Sequence, residues 1–221
     1  MNVPHIIHQI WIGSSSVAQP YYNISLSWKK YHPTWEYVLW NDTSIKDLGL
    51  SQETKDILSN PNCNVVIKCD LLRYEILNRL GGLYADMDME CLKPLDSLFK
   101  TDFVCGIESN ENIIGSALVG CLAGHPALQE VIRHIQTSFK KKCPTRVLEH
   151  LEVSGPFIFD GILKKYNIKP MPQEYFYPIG WNEYDKYDQL KNQFPNSYTK
   201  HWWRSCVAGG WTKFYKNRGY R

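Results

Sequence analysis

The chain has 221 residues, of which 43 % are hydrophobic and 21 % charged, and a formal net charge of +3. That length carries a full core and fits one domain. The composition excludes a disordered majority, and so small a charge gives no ground for nucleic-acid binding. Seven cysteines at irregular spacings, with no Cys-x-x-Cys pair, leave a zinc knuckle nothing to rest on and point to a cytoplasmic or otherwise reducing compartment.

Residues 6–12 form an apolar run expected as a buried parallel strand, with His5 and His8 as ordinary hydrogen-bonded strand residues. No basic leader precedes it, and no apolar run is long enough to span a bilayer, so neither a signal peptide nor a membrane span is expected. Gly13 and Ser14 to Ser16 end the strand at an edge where open α/β sheets bind ligands. A helix is expected over 21–31, ended by Pro33, then a strand over 35–40 rich in aromatic and β-branched types. Residues 44–60 read as a weakly patterned helix.

From Val65 the pattern is firm. Cys69, Leu72, Ile76 and Leu80 make a helical stripe, with Asp70, Arg73 and Tyr74 on a neighbouring face. Asp70 is placed near the helix's amino end, where its charge suits the dipole, with Arg73 as its partner or a ligand contact. Gly81-Gly82 closes the helix and permits a left-handed backbone. The strand after it delivers Asp86 and Asp88, one residue apart. If the chain stays extended, both carboxylates lie on one side, where a hard cation can take them, while Met87 and Met89 point to packing.

A short strand is expected over 103–108, and a helix from Pro126 with Leu128, Val131, Ile132 and Ile135 inward. Residues 148–153 fit neither helix nor strand firmly, and a further helix covers 157–166. Residues 171–181 read as extended, surface-hugging chain. The end carries His201-Trp202-Trp203-Arg204-Ser205 and, after Asp188, no acidic residue. That favours an anionic partner or a solvated tail. Short parallel-type strands alternating with helices argue for an α/β fold with a mostly parallel sheet.

Three stretches, residues 6–13, Asp70-x-x-Arg73-Tyr74, and Gly81-Gly82-x-Tyr84 through Asp86-x-Asp88, give the chain a family resemblance. Weaker matches are Gly124-His125-Pro126, Ser154-Gly155-Pro156 and the 201–205 motif. The chain resembles the DXD-containing glycosyltransferases that include initiating α-1,6-mannosyltransferases, and more distantly the glucosylating domains of large clostridial toxins. The resemblance implies a single Rossmann-like domain of GT-A type over 1–221, with 1–120 holding nucleotide sugar and metal and 121–221 forming the acceptor side and closing end. It implies a nucleoside-diphosphate sugar donor, UDP ahead of GDP, a Mn²⁺ or Mg²⁺ cofactor, and retaining transfer to a glycan or glycoprotein.

By the same resemblance, Trp11 stacks on the nucleobase and Asp70 and Arg73 contact the donor sugar. Asp86 and Asp88 hold metal and diphosphate, with Tyr84 lining them and His201 beside them. Asp70, Arg73 and Asp88 are then the catalytic group, Asp86, Asp88 and His201 the metal set, and Trp11, Tyr84, Asp86, His201, Trp202 and Ser205 the donor-binding set. Many relatives follow the final serine with tryptophan where this chain has Cys206. By its residues alone His201 reads as a metal ligand or as a packed histidine. A catalytically silent nucleotide-sugar or glycan-binding module is the alternative function. A glycoside hydrolase is disfavoured, because carboxylates two residues apart do not straddle a glycosidic bond.

Overall fold

The structure is a computed structural model that describes residues 3–13, 16–109, 111–141, 150–181, 183 and 194–204. Its elements run β1 (Ile6–Ile10), α1 (Gln19–Tyr31), β2 (Glu36–Trp40), α2 (Gln52–Ser59), α3 (Val65–Leu80), β3 (Gly82–Ala85), β4 (Met89–Cys91), β5 (Phe103–Val104), β6 (Leu118–Cys121), α4 (Pro126–Lys141), α5 (His150–Val153), α6 (Pro156–Lys165), α7 (Gln173–Phe176) and β7 (Thr199–His201). Five strands form the central sheet in the order β2-β1-β3-β6-β5, and β4 pairs with β7 in a second, two-stranded sheet.

The expectation of a mostly parallel sheet is corrected here. β1 runs parallel to β2 and β3, but β6 is antiparallel to both β3 and β5. The sheet is mixed. Strands buried on both faces are apolar whichever way their neighbours run, so composition did not reveal the reversal. Alternation distributes the side chains between two cores. Ile10, Tyr84 and Val119 face the core shared with α2, α3, α4 and α6, while Ile7, Leu83 and Leu118 face Trp28, Phe176, Tyr177 and Trp181.

α3 starts at the Asn64 cap, whose side chain accepts from Val66 N–H at 2.9 Å. It is buried on more than the expected stripe: Asp70, Arg73 and Tyr74 are buried together with Leu72 and Ile76, whereas Leu80 is exposed. Asp70 sits in the second turn, and the first turn holds no acid, so the dipole argument for Asp70 fails. Gly81 and Gly82 have φ of +65° and +92°. A Cβ on Gly82 would come within 2.6 Å of Ile6 O, and one on Gly81 within 2.8 Å of Ala123 N. Both positions need glycine for space as well as for conformation.

Two other expectations change. Residues 44–60 do not form one helix: a 3-10 turn at Ser44–Leu48 ends at Gly49, φ +60°, before α2 begins. Residues 171–181 are not surface chain, since Phe176, Tyr177, Ile179 and Trp181 are buried and α7 lies among them. Their aromatic surface covers one face of the sheet, a tertiary role that local sequence does not announce. Among the described residues Cys69, Cys91, Cys105 and Cys121 are free, and no helix is long and apolar enough to cross a membrane.

β1 also carries two fully buried polar side chains, His8 and Gln9. His8 Nδ1 accepts from Trp40 Nε1 at 3.2 Å, and Nε2 donates to Gly81 O at 2.9 Å. Both nitrogens are satisfied by a neutral ring. Burial pushes its pKa down from 6.5 to about 4, against an upward pull from the Gly81 carbonyl. Below pH 6.5 the unfolded chain therefore binds a proton that the folded chain refuses. Stability present above pH 6.5 should fall by about 3 kcal/mol as pH drops toward 4. Urea unfolding of His8→Gln should show a flatter loss across that window than the parent chain; an identical slope would assign the acid sensitivity elsewhere.

Candidate active site

β3 ends at Ala85, and Asp86-Met87-Asp88 is a tight turn, with Met89 N–H donating to Asp86 O at 3.0 Å. The two carboxylates are thus delivered by a turn and not by an extended strand. The turn is fixed from both neighbouring strands: Gln9 Nε2 donates to Asp86 O at 3.0 Å, and Asp86 N–H donates to Ala117 O at 2.8 Å. Tyr37 in turn holds Gln9, donating to its Oε1 at 2.7 Å. Met87 and Met89 are buried, as expected.

Arg73 reaches the turn from α3. Its Nη2 donates to Asp86 Oδ1 at 2.7 Å, while Nη1 contacts Asp70 Oδ1 at 3.1 Å and Ser116 Oγ at 2.8 Å. Tyr84 O–H donates to the same Asp86 Oδ1 at 2.7 Å. Asp70 Oδ2 accepts from Ser154 Oγ at 2.7 Å, which ties α3 to the turn before α6. Arg73 Nε is buried and makes no hydrogen bond. Burial works against the guanidinium charge, but Asp86, Tyr84 and Asp70 outweigh it and hold the pKa well above its usual value. The Asp86 side chain keeps 26 % of its surface exposed. Partial burial raises its carboxyl, with Arg73 opposing and Asp88 assisting.

His201 arrives through strand register. β7 pairs antiparallel with β4, setting His201 opposite Met89 and Lys200 opposite Glu90. The His201 Nε2–H then donates to Asp88 Oδ1 at 2.9 Å, and Arg204 N–H donates to Asp88 Oδ2 at 2.9 Å. Burial favours the neutral form of each partner. Even so, Asp88 raises the His201 pKa, and His201 lowers that of Asp88. The clasp is reinforced at Glu90, which accepts from Trp202 Nε1 at 3.0 Å and pairs with Lys200 at 3.1 Å. Ligand atoms of Asp86, Asp88 and His201 lie within 4.8 Å of one another. Two hard carboxylate oxygens and one imidazole nitrogen fit a divalent cation.

Trp11 lies at the carboxyl end of β1, its indole 5.2 Å from the Tyr21 ring and donating to Ser16 O at 2.9 Å. The Arg204 guanidinium lies 5.7 Å from that same tyrosine ring. A cavity of about 570 Å³ opens beside this edge, bordered by Ile12, Gly13, Asp42, Lys46, Lys68 and Leu72. Ser205 and Cys206 lie outside the described residues. Sequence reasoning assigned no side-chain role to Gln9, Ser116 or Arg204, although Arg204 stands in the 201–205 motif. Gln9 and Ser116 left the trace of a polar residue in or beside an apolar run.

Fold and acidic turn together define a GT-A-like α/β domain: a mixed sheet flanked by helices, with paired carboxylates past the end of its middle strand. Residues 21–104 match the family described as "Glycosyltransferase sugar-binding region containing DXD motif". Inositol phosphoceramide mannosyltransferase 3 of Schizosaccharomyces pombe is 30 % identical over 134 residues, which is 60 % of this chain and 37 % of that protein. PaToxG glycosyltransferase shares the fold at TM-score 0.59 and 16 % identity, over 75 % of this chain and 70 % of its own. The catalytic domain of alpha-toxin from Clostridium novyi does so at TM-score 0.53 and 8 % identity, over 75 % and 73 %. Over residues 21–104 the chain is similar in sequence to DXD-motif glycosyltransferases, and its fold is similar to that of the toxin glycosyltransferase domains. It spans about 32 to 53 % of the length of the curated relatives it matches.

Proposed function

We propose that the chain is a metal-dependent retaining glycosyltransferase. It moves a hexose or N-acetylhexosamine from a nucleoside-diphosphate sugar, UDP ahead of GDP, to a glycan or glycoprotein acceptor. The observation that carries this reading is the convergence of Asp86, Asp88 and His201 beside the buried Asp70–Arg73 pair. Those three residues would hold Mn²⁺ or Mg²⁺, the imidazole favouring Mn²⁺. When bound, the cation stabilises negative charge developing on the departing diphosphate.

The chain's own groups do the positioning. Arg73 keeps a buried Nε–H to offer a sugar hydroxyl or phosphate oxygen. Asp70 accepts from sugar hydroxyls, and Tyr84 holds Asp86 in place. Trp11 and the neighbouring cavity take the nucleoside half of the donor, and Trp202 closes over it. Residues 1–120 form the donor part and 121–221 the acceptor and closing part. No side chain is assigned as a covalent nucleophile. The free thiols fit a reducing compartment.

A panel of UDP- and GDP-sugars, including a mannosyl donor because the fungal relative is named for that transfer, tests the reading. With Mn²⁺ one donor should raise the melting temperature by mass action and then be hydrolysed slowly to sugar and nucleoside diphosphate. Retention of donor without release would leave a binding module. No stabilisation by any donor would refute the assignment.

A further inference from the structure

One buried carboxyl of the site region takes no part in the contacts described so far. Glu108 is 5 % exposed. It stands on a short antiparallel hairpin, where Glu108 N–H donates to Ile113 O at 2.9 Å and Gly115 N–H donates to Gly106 O at 2.9 Å. The hairpin leads directly into Ser116, which receives Arg73, and Ala117, which receives the Asp86 N–H. Glu108 is therefore built onto the same backbone that fixes the acidic turn.

Its carboxyl lies against the bare face of Gly115. A Cβ there would come within 2.8 Å of both Glu108 Oε2 and the Tyr177 hydroxyl. The Tyr177 oxygen accepts from Leu118 N–H at 3.1 Å and donates to no group among the described residues. Glu108 likewise has no hydrogen-bond or ion-pair partner among them. Two polar groups with unused capacity thus flank one glycine, next to a guanidinium whose Nε is also unpartnered. Buried groups left unpaired at a fixed site call for a ligand that supplies the missing bonds. Burial, with Asp160 and Asp86 assisting and His201 and Arg73 opposing, pushes the Glu108 pKa up to about 8. A carboxyl that is mostly protonated at neutral pH both donates and accepts, as a sugar hydroxyl does, and adds little repulsion beside a diphosphate.

We propose that Glu108 is a specificity-determining residue of the donor-sugar subsite, binding one or more sugar hydroxyls from the side of the site where it packs with Tyr177 against Gly115. The inference rests on the donor reading above and deepens it. A site that hydrogen-bonds a hydroxyl rejects the epimer that misplaces it, because its own buried groups are then left unpaired.

The test compares Glu108→Ala and the isosteric Glu108→Gln with the parent chain, using UDP-glucose, UDP-galactose and GDP-mannose, each with Mn²⁺. UDP and GDP alone serve as sugar-free probes. Glu108→Ala should lower kcat/KM for the preferred donor by about 10- to 100-fold and compress its preference over the other sugars. Binding of the matching nucleoside diphosphate should change by less than about twofold. Glu108→Gln should retain the fold and show a smaller shift in the same direction, which keeps the test decisive if the alanine variant is unstable. Unchanged sugar ratios, or a parallel loss of binding for the bare nucleoside diphosphate, would make Glu108 a structural residue and overturn the proposal. A parent chain that turns over no nucleotide sugar would instead bring down the donor reading, and this inference with it.

Discussion

Replacing Asp88 with alanine should lower turnover by roughly 10²–10³-fold while weakening donor binding far less, a loss of about 3–4 kcal/mol in transition-state stabilisation. Asp88 is 7 % exposed and contributes one carboxylate to the candidate cation site. Its other duty is structural. Oδ1 receives His201 and Oδ2 receives the Arg204 N–H, so alanine also releases the residues that follow β7. Asp88→Asn separates the two duties. It keeps an acceptor of the same size for the Arg204 N–H but removes the charge that a cation needs. Turnover of the asparagine variant should stay near that of alanine, while its thermal stability stays nearer the parent chain. Single-turnover assays at saturating Mn²⁺, together with nucleoside-diphosphate titrations, measure both. Parent-like turnover in either variant would remove Asp88 from the chemistry.

What could be read without coordinates follows a physical division. The α3 stripe and the Gly81-Gly82 bend were legible because helical period and positive φ are properties of adjacent residues. The break at Gly49 had the same kind of signal, but the weak periodicity around it hid where one helix stops and another starts. The geometry of Asp86 and Asp88 was not local at all. Nothing in Asp-Met-Asp-Met marks a turn, and the turn is imposed by Gln9 and Ala117 from flanking strands. His201 belongs to the same case. Its place beside Asp88 depends on the register of β4 against β7, across a separation of 113 residues. Ser116 and Glu108 are single polar residues in or beside apolar runs, and their meaning appears only when the hairpin carrying them closes onto α3. The direction of β6 was hidden for a related reason, since an apolar run has no polarity.

Arg73→Ala should be among the most destabilising single changes in the chain. The guanidinium is 5 % exposed and joins Asp70, Asp86 and Ser116. Removing it leaves the Asp70 carboxylate, which is 4 % exposed, without its cation inside the fold. Breaking a buried pair from one side costs about 3–5 kcal/mol, because the surviving charge has lost its solvent as well as its partner. In a domain of this size that corresponds to a fall on the order of 10 °C in Tm. Lysine should recover only part of the loss, since one ammonium on a flexible stem cannot reproduce a fork that spans two carboxylates and a hydroxyl. The cause can be isolated with a double-mutant cycle. If uncompensated negative charge is what destabilises, adding Asp86→Asn to Arg73→Ala should cost much less than Asp86→Asn does alone, with a coupling of about 1–3 kcal/mol. Additive losses would mean that Arg73 supports the fold through packing alone. In that case its contacts with Asp70 and Asp86 could not be what holds the acidic turn ready for a donor.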